Sequence, residues 1–347
     1  MAAAHGRRRR VALPWTVRLR LCGLEAAIDV AQCRDGGVNR SLFSLFDRRT
    51  PADPRPDATG VGSTDITVDA SRGLWARVFT VAERSPSPRP VIVYFHGGGF
   101  TLFSAASRTY DALCRTLCGG LGAVVVSVNY RLAPEHRAPA AYDDGEAVLR
   151  YLATTGLPGH VSPVDVSACF VAGDSAGGNI AHHVAHRWTA ATSASTSPVH
   201  LAGVILVQPC FSGEERTKAE RALDGVAPML NTRRTDLSWK AFLPEGADRN
   251  HPAAHVTGGD DGGPEHELPE SFPPAMVVIG GLDSLHDWGR RYGAMLRRKG
   301  RTARVVEFPD SIHAFYVFPE LADDSRKLVD EIRAFVEEII RSKQSTS

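Results

Sequence analysis

Hydrophobic residues in the middle of the chain fall into short unbroken runs, separated by longer stretches where they recur every three or four positions. Val91-Ile92-Val93-Tyr94-Phe95 and Ala123-Val124-Val125-Val126, the start of a run to Val128, are apolar on successive residues. That is the pattern of strands covered on both faces, as in a parallel sheet. Asp65–Val68, Leu74–Val81, Cys169–Ala172, Ala202–Gln208, Ala275–Ile279 and Arg304–Phe308 read as further strands. Between the runs, Ser107–Cys118, Ala141–Ala153, Ala176–Trp188, Trp288–Arg298 and Ser325–Arg341 carry a helical pattern. Strands alternating with helices predict a doubly wound α/β fold: a mostly parallel eight-stranded sheet with helices on both faces.

Two segments break the alternation. Residues 1–60 hold a helix-like Val17–Ala31 and a Pro/Arg-rich Arg48–Pro56; residues 212–255 follow a core strand and hold Thr235–Phe242. An insertion placed there lies over the C-terminal ends of the strands, where ligands of such sheets bind. Both are expected to form a lid on a single domain spanning 1–347. Glu214-Glu215-Arg216 through Glu220-Arg221 reads as an exposed, salt-bridged face, and Gly258–Glu267 as a flexible loop.

Charge and composition narrow the function mainly by exclusion. A net charge of +1 over 347 residues offers no electrostatic reason to bind nucleic acid. The basic run Arg7–Arg10 reads as a solvated terminus. No stretch approaches the ~18 apolar residues of a membrane span. The six cysteines form no C-x-x-C pair, which suits free thiols in a reducing compartment. The chain thus reads as cytoplasmic, with nothing to bar the nucleus, and its oligomeric state is not legible.

The chemistry centres on Gly173-Asp174-Ser175-Ala176-Gly177, which sits between a strand-like run and a helix-like one. A G-x-S-x-G in that context is a tight turn that lifts the serine hydroxyl towards a cleft. A serine needs a base, normally a histidine held by a carboxylate, and donors for the oxyanion. His96-Gly97-Gly98-Gly99 directly follows a strand, so its glycines can turn backbone N–H groups forward. Gly98, Gly99 and Ala176 are the candidate donors. Asp283, after the seventh strand, and His313, after the eighth, supply acid and base in the order this chemistry takes on an α/β sheet. Asp287 is a rival acid that the pattern puts inside the next helix. Phe100, Tyr110, Trp239, Phe242 and Tyr316 are candidate substrate-pocket residues, with core packing as their other reading. His182 and His186 are spaced i, i+4, but no acidic residue completes an H-E-x-x-H motif. Packing therefore accounts for them, and no metal is expected.

Taken together, His96–Phe100, Asn129–Gly145, Gly173–Asn179, Gly213–Arg216, Trp239–Pro244, Gly281–Asp283, His313–Tyr316 and Asp35–Arg40 resemble plant carboxylesterases of the hormone-sensitive-lipase branch of α/β-hydrolases. The resemblance covers nearly the whole chain. It implies an α/β-hydrolase fold with an N-terminal lid and a serine carboxylesterase that takes a small-molecule ester and no cofactor. The same lineage contains gibberellin receptors, which share the fold and lid but have lost the catalytic histidine. His313 stands where receptors carry an aliphatic residue, and Ser238 where they carry an aromatic one. Both departures favour an enzyme over a hormone-binding protein.

Overall fold

The computed structural model describes residues 13–345 except 84, 86, 159–160, 162, 192–196 and 259–264; Arg7–Arg10 and most of the expected 258–267 loop therefore lie outside the described residues. Eight strands form one sheet: β1 (Val61–Asp69), β2 (Leu74–Val81), β3 (Arg89–Phe95), β4 (Val124–Asn129), β5 (Val164–Asp174), β6 (Leu201–Val207), β7 (Ala275–Leu282) and β8 (Ala303–Ile312). Their order is β1-β2-β4-β3-β5-β6-β7-β8. β2 is antiparallel to both β1 and β4, and the remaining pairs are parallel. This is the α/β-hydrolase fold.

The unbroken apolar runs are explained by two covered faces. Along β3 and β4, Val91, Val93, Phe95, Val124, Val126 and Val128 enter one core cluster, while Ile92, Tyr94 and Val125 enter the other. The first cluster includes α4 (Ala140–Thr154), α5 (Ala176–Ala191) and α8 (His286–Arg298); the second includes α3 (Arg108–Leu121) and α9 (Ala322–Gln344). In α9 the buried residues Leu328, Ile332, Phe335, Val336 and Ile339 recur at the spacing of one helical face. Each such side chain taken from water contributes about 1.5–3 kcal/mol.

Strand ends run further than the apolar runs suggested. β5 begins at Val164 and β8 continues to Ile312, because ladder hydrogen bonds carry a strand past its apolar stretch. A short helix, α2 (Arg40–Phe43), and another, α6 (Lys218–Leu223), lie in the two irregular segments, with α1 (Trp15–Ala31) and α7 (Thr232–Phe242). The exposed-face reading of Glu214–Arg221 is corrected at Glu220, which is buried. Thr217 and Glu220 form a capping box, and Glu220 also accepts from Trp288 Nε1 at 3.1 Å. The T-x-x-E spacing of a helix start was the signal for it. No helix among the described residues is long and apolar enough to cross a membrane.

The turn from β5 into α5 leaves no slack. A Cβ placed on Gly177 would lie 1.9 Å from the Phe95 carbonyl oxygen, so β3 or α5 would have to move. Gly177→Ala is expected to destabilise the fold by roughly 3 kcal/mol, at the upper end of overpacking costs. Thermal unfolding checks this, and an unchanged melting temperature would show that the turn can relax.

Candidate active site

Ser175 is the single residue between β5 and α5, and its φ of +51° is the left-handed conformation that a nucleophile elbow imposes on a side-chain-bearing residue. The conformation is pinned from both sides. Ser175 N donates to Val207 O at 2.9 Å, and Ser175 O accepts from Gly178 N at 3.0 Å and Cys210 N at 2.9 Å. The residue is 8% exposed and lines a cavity of about 420 Å³.

His313 follows β8 and lines the same cavity. Its Nδ1 lies 2.8 Å from Asp283 Oδ2, and both side chains are buried. Asp283 follows β7, and its other oxygen accepts from Leu285 N at 2.9 Å. The carboxylate is thus held by the backbone on one side and faces the imidazole on the other. With Nδ1–H donating to Asp283, Nε2 carries the ring's free lone pair. Asp287 is elsewhere: it lies in the first turn of α8 and accepts from Ala219 N at 2.8 Å, securing α6.

Gly98 and Gly99 also line the cavity. Gly98 has φ of +109°, a conformation only glycine adopts readily, and its carbonyl accepts from Thr101 N and Leu102 N. Among the described residues, neither the Gly98 nor the Gly99 N–H is spent on a backbone bond to the loop around it. Ala176 opens α5, so its N–H has no acceptor within the helix and sits at the positive end of the helix dipole.

The five aromatic candidates divide. Phe100, Trp239 and Phe242 are not among the residues lining the cavity. Phe100 stacks on Phe242 at 3.7 Å between ring centroids and lies 5.1 Å from Trp239, so the three bury their area against one another. Tyr110 does line the cavity, whereas Tyr316 does not. Both tyrosine hydroxyls donate to Asp174 Oδ2 at 3.0 Å. The cavity wall comes instead from α1 and α7 with their flanks, including Leu24, Ile28, Met229 and Leu230, and from Val317 and Phe318 after His313.

Two supporting residues escaped the sequence reading. Asp174 is fully buried, and its carboxylate accepts from Tyr94 Oη at 2.8 Å and Gly97 N at 2.9 Å as well as from Tyr110 and Tyr316. Burial pushes its carboxyl up, while the three hydroxyls oppose that shift. Burial also raises all three tyrosines well above their usual range, which keeps them neutral donors. Gln208, after β6, grips the chain on both sides of His313: Nε2 donates to Ile312 O at 3.0 Å, and Oε1 accepts from Ala314 N at 2.7 Å. An acidic residue ending an apolar strand was a signal for Asp174. A lone glutamine at a strand end gave none for Gln208.

A serine at a strand–helix elbow and a buried Asp–His pair beyond two later strands, on this sheet order, define an α/β-hydrolase. The α/β-hydrolase fold family matches residues 92–317, and the chain belongs to that family, in its hormone-sensitive-lipase-like part. The gibberellin receptor GID1C of Arabidopsis thaliana is 39% identical over 94% of this chain and 95% of its own length. Carboxylesterase 20 of the same plant is 34% identical over 87% and 92%. The solved structure of a hyperthermophilic esterase from Pyrobaculum calidifontis superposes with a TM-score of 0.71 at 28% identity, covering 93% of this chain and 98% of that one.

Removing the Asp174 acceptor should be costly. Asp174→Ala leaves three buried hydroxyls and one buried N–H without their partner, an expected loss of about 3 kcal/mol or more. Asp174→Asn, which keeps one acceptor oxygen, should lose less. Urea unfolding compares them; equal losses would show that acceptor chemistry is not what Asp174 contributes.

Proposed function

We propose that the chain is a serine carboxylesterase that hydrolyses small apolar carboxylic esters. The observation that carries this reading is the buried 2.8 Å contact between His313 Nδ1 and Asp283, with His313 and Ser175 facing one cavity. Ser175 Oγ attacks the ester carbonyl while His313 Nε2 takes its proton, and Asp283 stabilises the imidazolium. The N–H groups of Gly98, Gly99 and Ala176 receive the oxyanion. His313 then protonates the departing alcohol and activates the water that releases the acid. Residues 1–60 and 212–255 serve as the lid of one domain; their apolar contributions to the cavity wall, such as Leu24 and Met229, suit an apolar acyl or alcohol group. All six cysteines are unpaired, which supports a cytoplasmic enzyme.

The similarity to gibberellin receptors supports a second reading, a hormone-binding protein with an idle site. The two readings part at His313. With the esterase reading, a fluorophosphonate labels Ser175 and the purified chain turns over short-chain p-nitrophenyl esters. Ser175→Ala or His313→Ala then lowers kcat by about 10⁴ or more. An unlabelled, inactive wild type that binds gibberellin would establish the receptor reading instead.

Gln208 offers a finer test. Gln208→Leu removes both bonds that fix the backbone around His313 and should lower kcat by roughly 10–100-fold, the scale of a lost supporting contact, with KM little changed. A selective rise in KM would mean that Gln208 shapes the pocket and not the base.

A further inference from the structure

Two turns along the helix that Ser175 precedes, α5 carries His182 and His183, and a third histidine, His266, reaches them from the segment before β7. One ring nitrogen from each lies within 4.8 Å of the others. We propose that His182, His183 and His266 form a binding site for a divalent transition metal, with zinc the best match, that clips α5 to the chain around His266.

Two of the rings are oriented as metal ligands are. Metal-binding histidines commonly engage their second nitrogen with a carbonyl or similar partner, which fixes the ring and its tautomer. His182 Nδ1 meets Tyr292 Oη at 2.9 Å, and His183 Nε2 meets the Ala253 carbonyl at 3.2 Å. The nitrogen left over on His182 faces the third ring: His182 Nε2 and His266 Nδ1 are 3.5 Å apart. Tetrahedral zinc with bonds of ~2.0–2.1 Å holds its nitrogens about 3.3 Å apart. That pair needs almost no movement, and His183 needs a shift of roughly an ångström.

His182 and His183 are buried and His266 is partly buried, so an ion held between them would be largely shielded from water. An all-imidazole set suits zinc, copper or nickel better than the hard cations. Three protein nitrogens leave a fourth position for water. His186, whose ring lies 5.5 Å from that of His266, is tied through Nε2 to the Glu267 carbonyl at 2.8 Å and flanks the site. The ligand from the segment is itself anchored: Thr257 and Glu265 form a bridge, and His266 N donates to Val256 O at 3.0 Å. None of these groups touches the Ser–His–Asp chemistry, so the metal's role is to hold the scaffold.

Isothermal titration of the chelator-treated full chain with Zn²⁺ alone tests the site. The expected result is one saturable ion per chain and a melting temperature raised by a few degrees. His266→Ala and His183→Gln should each weaken that binding at least about 10-fold and abolish the thermal shift, while His286→Gln, at the start of α8, leaves both intact. Co²⁺ in place of zinc should give a visible band of low-coordinate, imidazole-bound cobalt that either variant removes. No one-to-one Zn²⁺ binding by the wild type, or binding undiminished in both variants, overturns the proposal.

Discussion

The Asp174 carboxylate joins four parts of the chain that lie as many as 142 positions from it in the sequence. Tyr94 is the last residue but one of β3, Gly97 begins the glycine loop, Tyr110 lies on α3, and Tyr316 follows His313; all four donate to the two oxygens of Asp174. Burying a carboxylate costs several kcal/mol unless its lone pairs are met by donors, and here they are met four times. The donors in turn depend on Asp174, since their own burial leaves no water to replace it. Because Ser175 is the next residue, the same atom group that fixes the glycine loop fixes the serine and the segment bearing His313. A site assembled from four strand ends thereby behaves as one unit.

The outer wall of the cavity obeys a weaker constraint. α1 meets α7 through Asp29 and Arg234, 2.6 Å apart, and through Glu25, whose Oε1 accepts from Met229 N at 2.7 Å. The Arg234 guanidinium holds the Asp29 carboxyl below its usual range against the pull of burial. Asp29 is nevertheless 40% exposed, so solvent screens the pair and it contributes little to stability. Most of the hold comes from apolar contacts: Val17 and Leu21 join the core cluster that includes α3 and α9, and Ala27, Ala31 and Phe43 cluster with Leu102 beside the glycine loop. A wall attached by modest contacts can move at modest cost.

The sheet and its flanking helices were legible because their apolar periods are dictated by burial on both faces. The serine elbow, the glycine loop, and the order of Asp283 and His313 were legible because each is a local pattern with one structural context. What escaped depends on contacts that no local pattern encodes. Phe100, Trp239 and Phe242 look like pocket aromatics in a sequence, yet their rings stack on each other. Tyr316 was read by its ring, whereas its hydroxyl bonds Asp174. Gln208 acts on residues 104 and 106 positions away. The histidine spacing drew attention to His182 and His186, but folding brings His182 together with its neighbour His183 and with His266, a residue 84 positions further on.

α5 has two demands on it, one at its start and one at its middle. At its start, Gly177 is pressed against the Phe95 carbonyl, so any displacement of the helix is transmitted to Ser175 directly. Further along, the helix is fully packed by Ile180, Ala181, Val184 and Ala185, yet it buries His182 and His183 where apolar side chains would cost less. Among the described residues, those imidazoles meet Ala253, His266 and Tyr292 of α8. Movement of Ala253 and His266 would leave buried ring nitrogens unpaired and loosen the helix that Ser175 precedes. The polar groups in this part of the core therefore do what an apolar core cannot: they specify one register of the helix against the segment beside it, and with it the place of the serine.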